Sequence, residues 1–75
     1  MTELRFNTKT GFGKTRVGEI EYFIMKTADG YSFGCKDYSD CVMISYWIVE
    51  NKKRMSTIRK YAEQYGIEII EVAQT

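Results

Sequence analysis

The sequence predicts a small α+β domain in which a three-stranded antiparallel meander is followed by one or two helices and a C-terminal strand that joins the sheet. Three features support this prediction: β-prone segments fill the first half of the chain, a later segment has helical spacing, and an isoleucine-rich segment follows it. The 75 residues contain no proline, and we find no repeat or linker, so we expect residues 1–75 to form a single domain.

The meander is predicted from three segments separated by turn-forming residues. Residues 4–8 alternate apolar and polar side chains, residues 14–25 are β-prone, and residues 31–35 form the third strand. Glycines at 11 and 13 mark the first connection. Asp29-Gly30 favours a type I′ turn at the second connection, because this pair readily takes positive φ values.

The helical half of the chain has one ambiguous segment and one clear segment. Residues 39–53 contain many β-branched and aromatic residues, which favour a strand, but Asp37 or Ser39 can cap a helix and the segment is long for a strand, so we interpret it as helix. Residues 57–65 have apolar residues at helical spacing after Ser56 as N-cap, and Gly66 follows as a left-handed residue. Residues 67–72 then form the last strand.

The same patterns predict which residues form the hydrophobic core. In the second segment, the face with Ile20, Tyr22 and Ile24 is uniformly apolar, whereas the opposite face mixes Phe23 and Met25 with glutamates. The residues that we expect to be buried are Phe6, Ile20, Tyr22, Ile24, Phe33, Ile44, Ile48, Ile58, Tyr61, Ala62, Ile67 and Ile69.

Histidine is absent from the sequence, and this makes an enzyme improbable. Histidine is the usual general base near neutral pH and the commonest zinc ligand, so we expect no catalytic residue, no metal and no cofactor. Cys35 and Cys41 are interpreted as small buried thiols in a reducing compartment. A thiol nucleophile at either position is the remaining enzymatic alternative.

Residues 8–15 end in the Gly-Lys-Thr sequence of a phosphate-binding P-loop, but they do not fit that motif. Thr8 stands where the motif requires glycine, and a strand rather than a helix is predicted to follow. We interpret the segment as a basic hairpin tip that carries Phe12 between Lys9 and Lys14.

Composition also bounds the location of the protein. No apolar run approaches the roughly 20 residues that cross a bilayer, and residues 1–5 lack the features of a signal peptide. We therefore expect a soluble cytoplasmic protein without a membrane partner, located in the host-cell cytoplasm if it is viral.

Candidate partner-binding residues are basic or aromatic. A basic block near the second helix contains five cations, although an ordinary solvated surface also explains it. Tyrosine and phenylalanine near turns are favoured at protein interfaces. The candidate residues are Phe12, Lys14, Tyr31, Tyr38, Lys52, Lys53, Arg54, Arg59 and Lys60.

The sequence therefore predicts a small non-enzymatic protein-binding module. By analogy of size and composition, it is similar to small stoichiometric inhibitors or adaptors of viral or mobile-element type, which act on a larger protein or complex, for example one that handles nucleic acid. The alternative is a small RNA- or DNA-binding protein that uses the basic block. The sequence does not decide the oligomeric state.

Overall fold

In the part of the chain that the structure describes, six strands form one mixed sheet, and a single helix packs on one of its faces. The computed structural model describes residues 1–39 and 43–73. The strands lie in the order β5-β4-β3-β2-β1-β6, with antiparallel pairing from β1 to β5 and parallel pairing between β1 and β6. The elements are β1 (Thr2–Asn7), β2 (Phe12–Val17), β3 (Ile20–Thr27), β4 (Gly30–Asp37), β5 (Ile44–Lys52), α1 (Met55–Glu63) and β6 (Ile67–Val72).

The α+β class and the C-terminal strand that joins the sheet are confirmed, but the meander is longer than predicted. The segment 14–25 is two strands, because a tight turn at Gly18 and Glu19 reverses the chain and pairs Val17 with Ile20. Gly18 has φ +61° and Glu19 does not have a positive φ, as in a type II′ turn.

The second predicted turn lies where the sequence places it but has a different geometry. Thr27 pairs with Gly30, so Ala28 and Asp29 form the two-residue loop, and neither has a positive φ. The predicted type I′ turn is therefore wrong. Gly30 itself has φ +146°, and a Cβ there would collide with the carbonyl group of Lys52. The close approach of β4 and β5 at this point therefore also requires glycine.

The predicted helix over 39–53 is wrong, because β5 occupies most of that segment. An irregularity in the pairing lies between Phe33↔Val49 and Gly34↔Trp47, and Asn51 takes φ +53°. These irregularities let a nine-residue strand rich in β-branched and aromatic residues follow the twist of the sheet. Part of the predicted segment, with Cys41, lies outside the described residues.

Asp37 and Ser39 form a local turn instead of a helix start. The Ser39 N–H donates to Asp37 Oδ1 at 2.8 Å. Hydrogen bonds from the side chain and then the backbone of Ser39 lower the pKa of the Asp37 carboxyl group. The Asp37 carboxylate therefore stabilises the local turn, as aspartate commonly does.

The helix α1 begins and ends two residues before the predicted 57–65. Arg54 occupies the N-cap position without a side-chain capping hydrogen bond, so the prediction of Ser56 as cap is wrong. Ile58 and Ala62, four residues apart, are the buried residues of the helix and face the sheet. Gly66 has φ +72°, which confirms the predicted left-handed residue after the helix.

The core lies between α1 and the sheet, and it contains most of the residues predicted to be buried. Ile20, Ile48 and Tyr61 are partly buried against it. The predicted burial of Ile44 is wrong: this residue is 53% exposed, because β5 is an edge strand and not a helix. The core residues are Leu4, Phe6, Tyr22, Ile24, Phe33, Cys35, Val49, Ile58, Ala62, Ile67 and Ile69. Within the described ranges, no helix is long and apolar enough to span a membrane.

Candidate functional site

The sheet has one face covered by α1 and one face that no helix of the described residues covers. Side chains alternate between these faces along each strand. On β3, Tyr22 and Ile24 are buried beneath the helix, and Phe23 and Met25 point to the other side. We call this second side the open face.

Four large apolar residues lie together on the open face, and we call them the aromatic patch: Phe12, Phe23, Met25 and Trp47. The rings of Phe23 and Trp47 meet edge to face, with centroids 5.2 Å apart and planes at 70°. Phe12 pairs with Met25 across β2 and β3. Phe12 and Trp47 are each 39% exposed. The patch forms most of the lining of a shallow depression of about 240 Å³.

Gly34 lies beneath the Phe23 and Trp47 rings. It is the cross-strand neighbour of Phe23 on one side and of Trp47 on the other. A Cβ on Gly34 would lie 2.9 Å from an atom of each ring, which is closer than real Cβ contacts allow. The missing side chain therefore lets the rings approach each other across β4, as aromatic residues do over glycine in sheets.

Charged side chains border the aromatic patch. Lys14 is the cross-strand neighbour of Phe23, and Lys36 and Glu21 also line the depression. Glu21 lies in register between Arg16 and Lys36 on the adjacent strands. Three cations thus accompany one carboxylate, which gives this border a small positive excess.

Tyr38 and Arg16 close one end of the open face. The Arg16 guanidinium lies 4.6 Å from the centre of the Tyr38 ring, a cation–π contact. The Arg16 Nε–H also donates to the Gly18 carbonyl at 3.0 Å. These contacts hold the guanidinium at the rim of the open face.

Three of the sequence-predicted residues, Phe12, Lys14 and Tyr38, therefore lie on the open face. Tyr31 does not: it lies on the helix side, half-buried, with its ring 5.9 Å from that of Phe6 and with Lys26 Nζ 4.9 Å from its centre. Its role in partner binding stays a prediction.

The predicted basic block is divided between two places, and none of it lines the depression. Lys52, Lys53 and Arg54 are exposed where β5 connects to α1, and Lys60 is exposed on α1. Arg59 has a structural contact instead. Its guanidinium donates to the carbonyl of Ile69 and forms a 3.1 Å salt bridge with Glu71, so it ties α1 to β6. A role for the block in binding stays a prediction.

Sequence reasoning missed Phe23, Met25 and Trp47 as site residues. The signal for Phe23 and Met25 was the mixed face of their segment, because a partly apolar face opposite a core face marks an uncovered surface. Trp47 carried no such signal, since its position depends on β5 being a strand.

Tyr46 lies beside Cys35 on the helix side of β5, as its cross-strand neighbour. A side-chain hydrogen bond with Cys35, then the electrostatic interaction with Cys35, raises the pKa of Tyr46 to about 12. Burial, as the largest of several causes, raises the pKa of Tyr22. Both tyrosines therefore hold their protons at higher pH in the folded protein than in the unfolded chain.

Alkaline unfolding tests the Tyr46 contact. Unfolded tyrosine ionises near 10.0, so between this pH and about 12 the folded state binds more protons, and the free energy of unfolding falls as pH rises. We expect Tyr46→Phe to reduce this fall, measured by urea unfolding at several values between about pH 8 and pH 11. An identical pH dependence in the variant would argue against the contact with Cys35.

Among residues 1–39 and 43–73, no three cysteine, aspartate or glutamate side chains come together as a metal site would require. The distinguishing features of the open face are its apolar rings, its cationic border and its shallow depression. Comparison with known proteins found no significant match to a family model, to a curated protein or to a solved structure.

Proposed function

We propose that this chain is a non-catalytic protein-binding module that docks onto a larger protein through the aromatic patch. A stoichiometric inhibitor or adaptor acts in this way, by occupying a surface of its target. The observation that supports the proposal most directly is the group of Phe12, Phe23, Met25 and Trp47 on an uncovered sheet face.

The composition of the open face is that of a protein interface. Aromatic residues and methionine are enriched at the centres of interfaces, and tryptophan is a frequent hot spot. Lys14, Glu21 and Lys36 surround this centre with charged groups of both signs, as the polar rim of an interface does. The Phe23 and Trp47 rings are already held against each other, so binding would order few additional side chains.

Phe12→Ser tests the proposal, with Val17→Ser as the matched control. Phe12 is 39% exposed in the patch and Val17 is 42% exposed outside it, and both residues lie on β2. The partner captured from a lysate of the source cells is purified, and its affinity for each variant is measured by calorimetry. We expect Phe12→Ser to weaken binding about thirtyfold, as loss of a hot spot does.

The control separates loss of the patch from loss of the fold. Val17→Ser should bind within about twofold of the unmodified chain, because surface substitutions away from a hot spot change little. Undiminished affinity of Phe12→Ser, or equal weakening by both variants, would contradict docking through the aromatic patch.

Single-stranded nucleic acid is the second candidate ligand, because Lys14 and Lys36 flank the rings. Exposed aromatic side chains on a sheet can stack bases while cations contact phosphates. Trp47 is the single tryptophan of the chain, so its fluorescence reports on binding at the patch. If Lys14, Lys36 and Arg16 each neutralise a phosphate, affinity for an oligonucleotide falls about twentyfold between roughly 50 and 200 mM salt.

Titration of oligo-deoxythymidine and oligouridine distinguishes the candidates. The protein-binding proposal expects no quenching of Trp47 by either oligonucleotide, whereas nucleic-acid binding at the open face requires salt-dependent quenching. Replacement of Lys52, Lys53 and Arg54 by alanine shows whether any binding uses the basic block instead, since these residues lie away from the patch.

A further inference from the structure

We infer that the outer edge of β5 pairs with β5 of a second copy of this chain, in antiparallel orientation, so that two copies form one continuous sheet. This inference goes beyond the proposed function and concerns the backbone edge of β5 instead of the open face. It rests on the contrast between the two edge strands of the sheet, β5 and β6.

Charged side chains line the β6 edge. Glu68 and Glu71 are exposed on the strand, and Arg59 from α1 contacts both the Ile69 carbonyl and the Glu71 carboxylate. Charged residues along an edge strand are a common protection against pairing with another chain, because pairing would desolvate them.

The β5 edge lacks charged side chains along most of its described length. Residues 44–49 contain no charged residue, no proline and no glycine. Ile44 and Tyr46 are each 53% exposed, Trp47 is 39% exposed, and Met43 just before the strand is 55% exposed. An uncharged edge segment with exposed apolar side chains presents free backbone N–H and C=O groups to another strand.

The charge pattern of β5 favours a second copy as its partner. The charged residues of the strand, Glu50 and Lys52, both lie at its C-terminal end. An antiparallel pair related by a twofold axis through 44–49 places these ends at opposite ends of the interface, so uncharged residues face uncharged residues. The formal net charge of the chain is only +1, so long-range repulsion between two copies is small.

Pairing through this edge leaves the open face free. Ile44 and Tyr46 are in register with Asp37 and Cys35 on the helix side of the sheet. Trp47 projects to the open face, so two aromatic patches would lie on the same side of the joined sheet. A dimer of this kind would present two docking surfaces to one partner.

Sedimentation equilibrium over a range of about 1 to 200 µM tests the inference, with Ile44→Lys as variant and Val17→Lys as control. Both positions carry an exposed β-branched aliphatic residue, and only Ile44 lies on β5. We expect the unmodified chain and Val17→Lys to dimerise in this range. Ile44→Lys should raise the dimer dissociation constant at least about tenfold, because it puts a charge into an uncharged strand pair.

Deuterium exchange identifies the paired strand. In the unmodified chain, amides within 44–49 should exchange more slowly at the high end of the concentration range than at the low end. A chain that stays monomeric throughout, an Ile44→Lys variant that dimerises equally well, or a dimer without this protection would each overturn the inference. Phe12→Ser should keep the dimer, so failure of this inference and failure of the proposed docking are distinguishable.

Discussion

Replacing Phe33 by alanine is expected to destabilise the fold by about 3–5 kcal/mol, the typical cost of truncating a buried phenylalanine. Phe33 has no exposed surface, and its ring stacks on that of Tyr22 with centroids 6.0 Å apart. A domain of this length has a free energy of unfolding of only about 4–11 kcal/mol. The substitution therefore removes a large share of the total stability, which urea unfolding followed by circular dichroism measures directly.

Phe23→Ala is the matched control, because it makes the same change one strand away on the opposite face. Phe23 is half-buried on the open face and pairs with Gly34. We expect it to cost about 1 kcal/mol of stability, since a partly exposed side chain loses less burial. It should instead impair docking, because Trp47 loses the ring that supports it.

The two variants together test whether the core and the binding surface are separate. Comparable loss of stability in both would mean that the open face is as buried as the helix side. Full partner binding by Phe23→Ala would mean that the paired rings are not part of the docking surface.

Elements with a strong local pattern could be predicted from the sequence. Ile58 and Ala62 repeat at helical spacing before a left-handed Gly66, and no strand pattern competes with them, so α1 was predicted within two residues. Ile67 and Ile69 alternate with glutamate in β6, and their burial follows from that alternation.

The strand β5 could not be predicted in the same way, because its conformation depends on distant residues. The β-branched and aromatic composition of residues 44–49 favours a strand, whereas the length of the whole 39–53 segment favours a helix. Pairing with β4 decides between them, and the irregularity beside Phe33 lets this long segment stay in the sheet. The error carried over to the site, because Trp47 reaches Phe23 only when β5 is a strand.

The sequence predicts only part of the open face: it selects Phe12, Lys14 and Tyr38 as candidate site residues, but not Phe23, Met25 or Trp47. Phe23 and Met25 share a strand face with Glu21, and such a mixed face is often simply solvated. What turns it into a candidate site is the contribution of two other strands, Phe12 from β2 and Trp47 from β5. Side chains from three strands meet there only through the sheet order.

Gly13→Ala is expected to cost about 3 kcal/mol or more of folding stability, although it adds a single methyl group. Gly13 is buried where β2 passes β1, and a Cβ there would collide with the Arg5 carbonyl oxygen and lie 2.8 Å from the Phe6 Cα. Overpacking a site commonly costs about 1–3 kcal/mol, and backbone atoms cannot rotate out of the way as a side chain can. Urea unfolding of the variant measures the loss.

Gly18→Ala is the control that separates this steric cost from the cost of backbone conformation. Gly18 has φ +61° and nothing within 4 Å of an added Cβ, so alanine there meets conformational strain alone, about 1–2 kcal/mol. Gly13 does not have a positive φ, so its cost comes from contact with β1. If Gly13→Ala were no more destabilising than Gly18→Ala, β2 could move away from β1 at little cost in folding free energy. The tight packing of β2 against β1 would then not be what holds Phe12 at the edge of the aromatic patch.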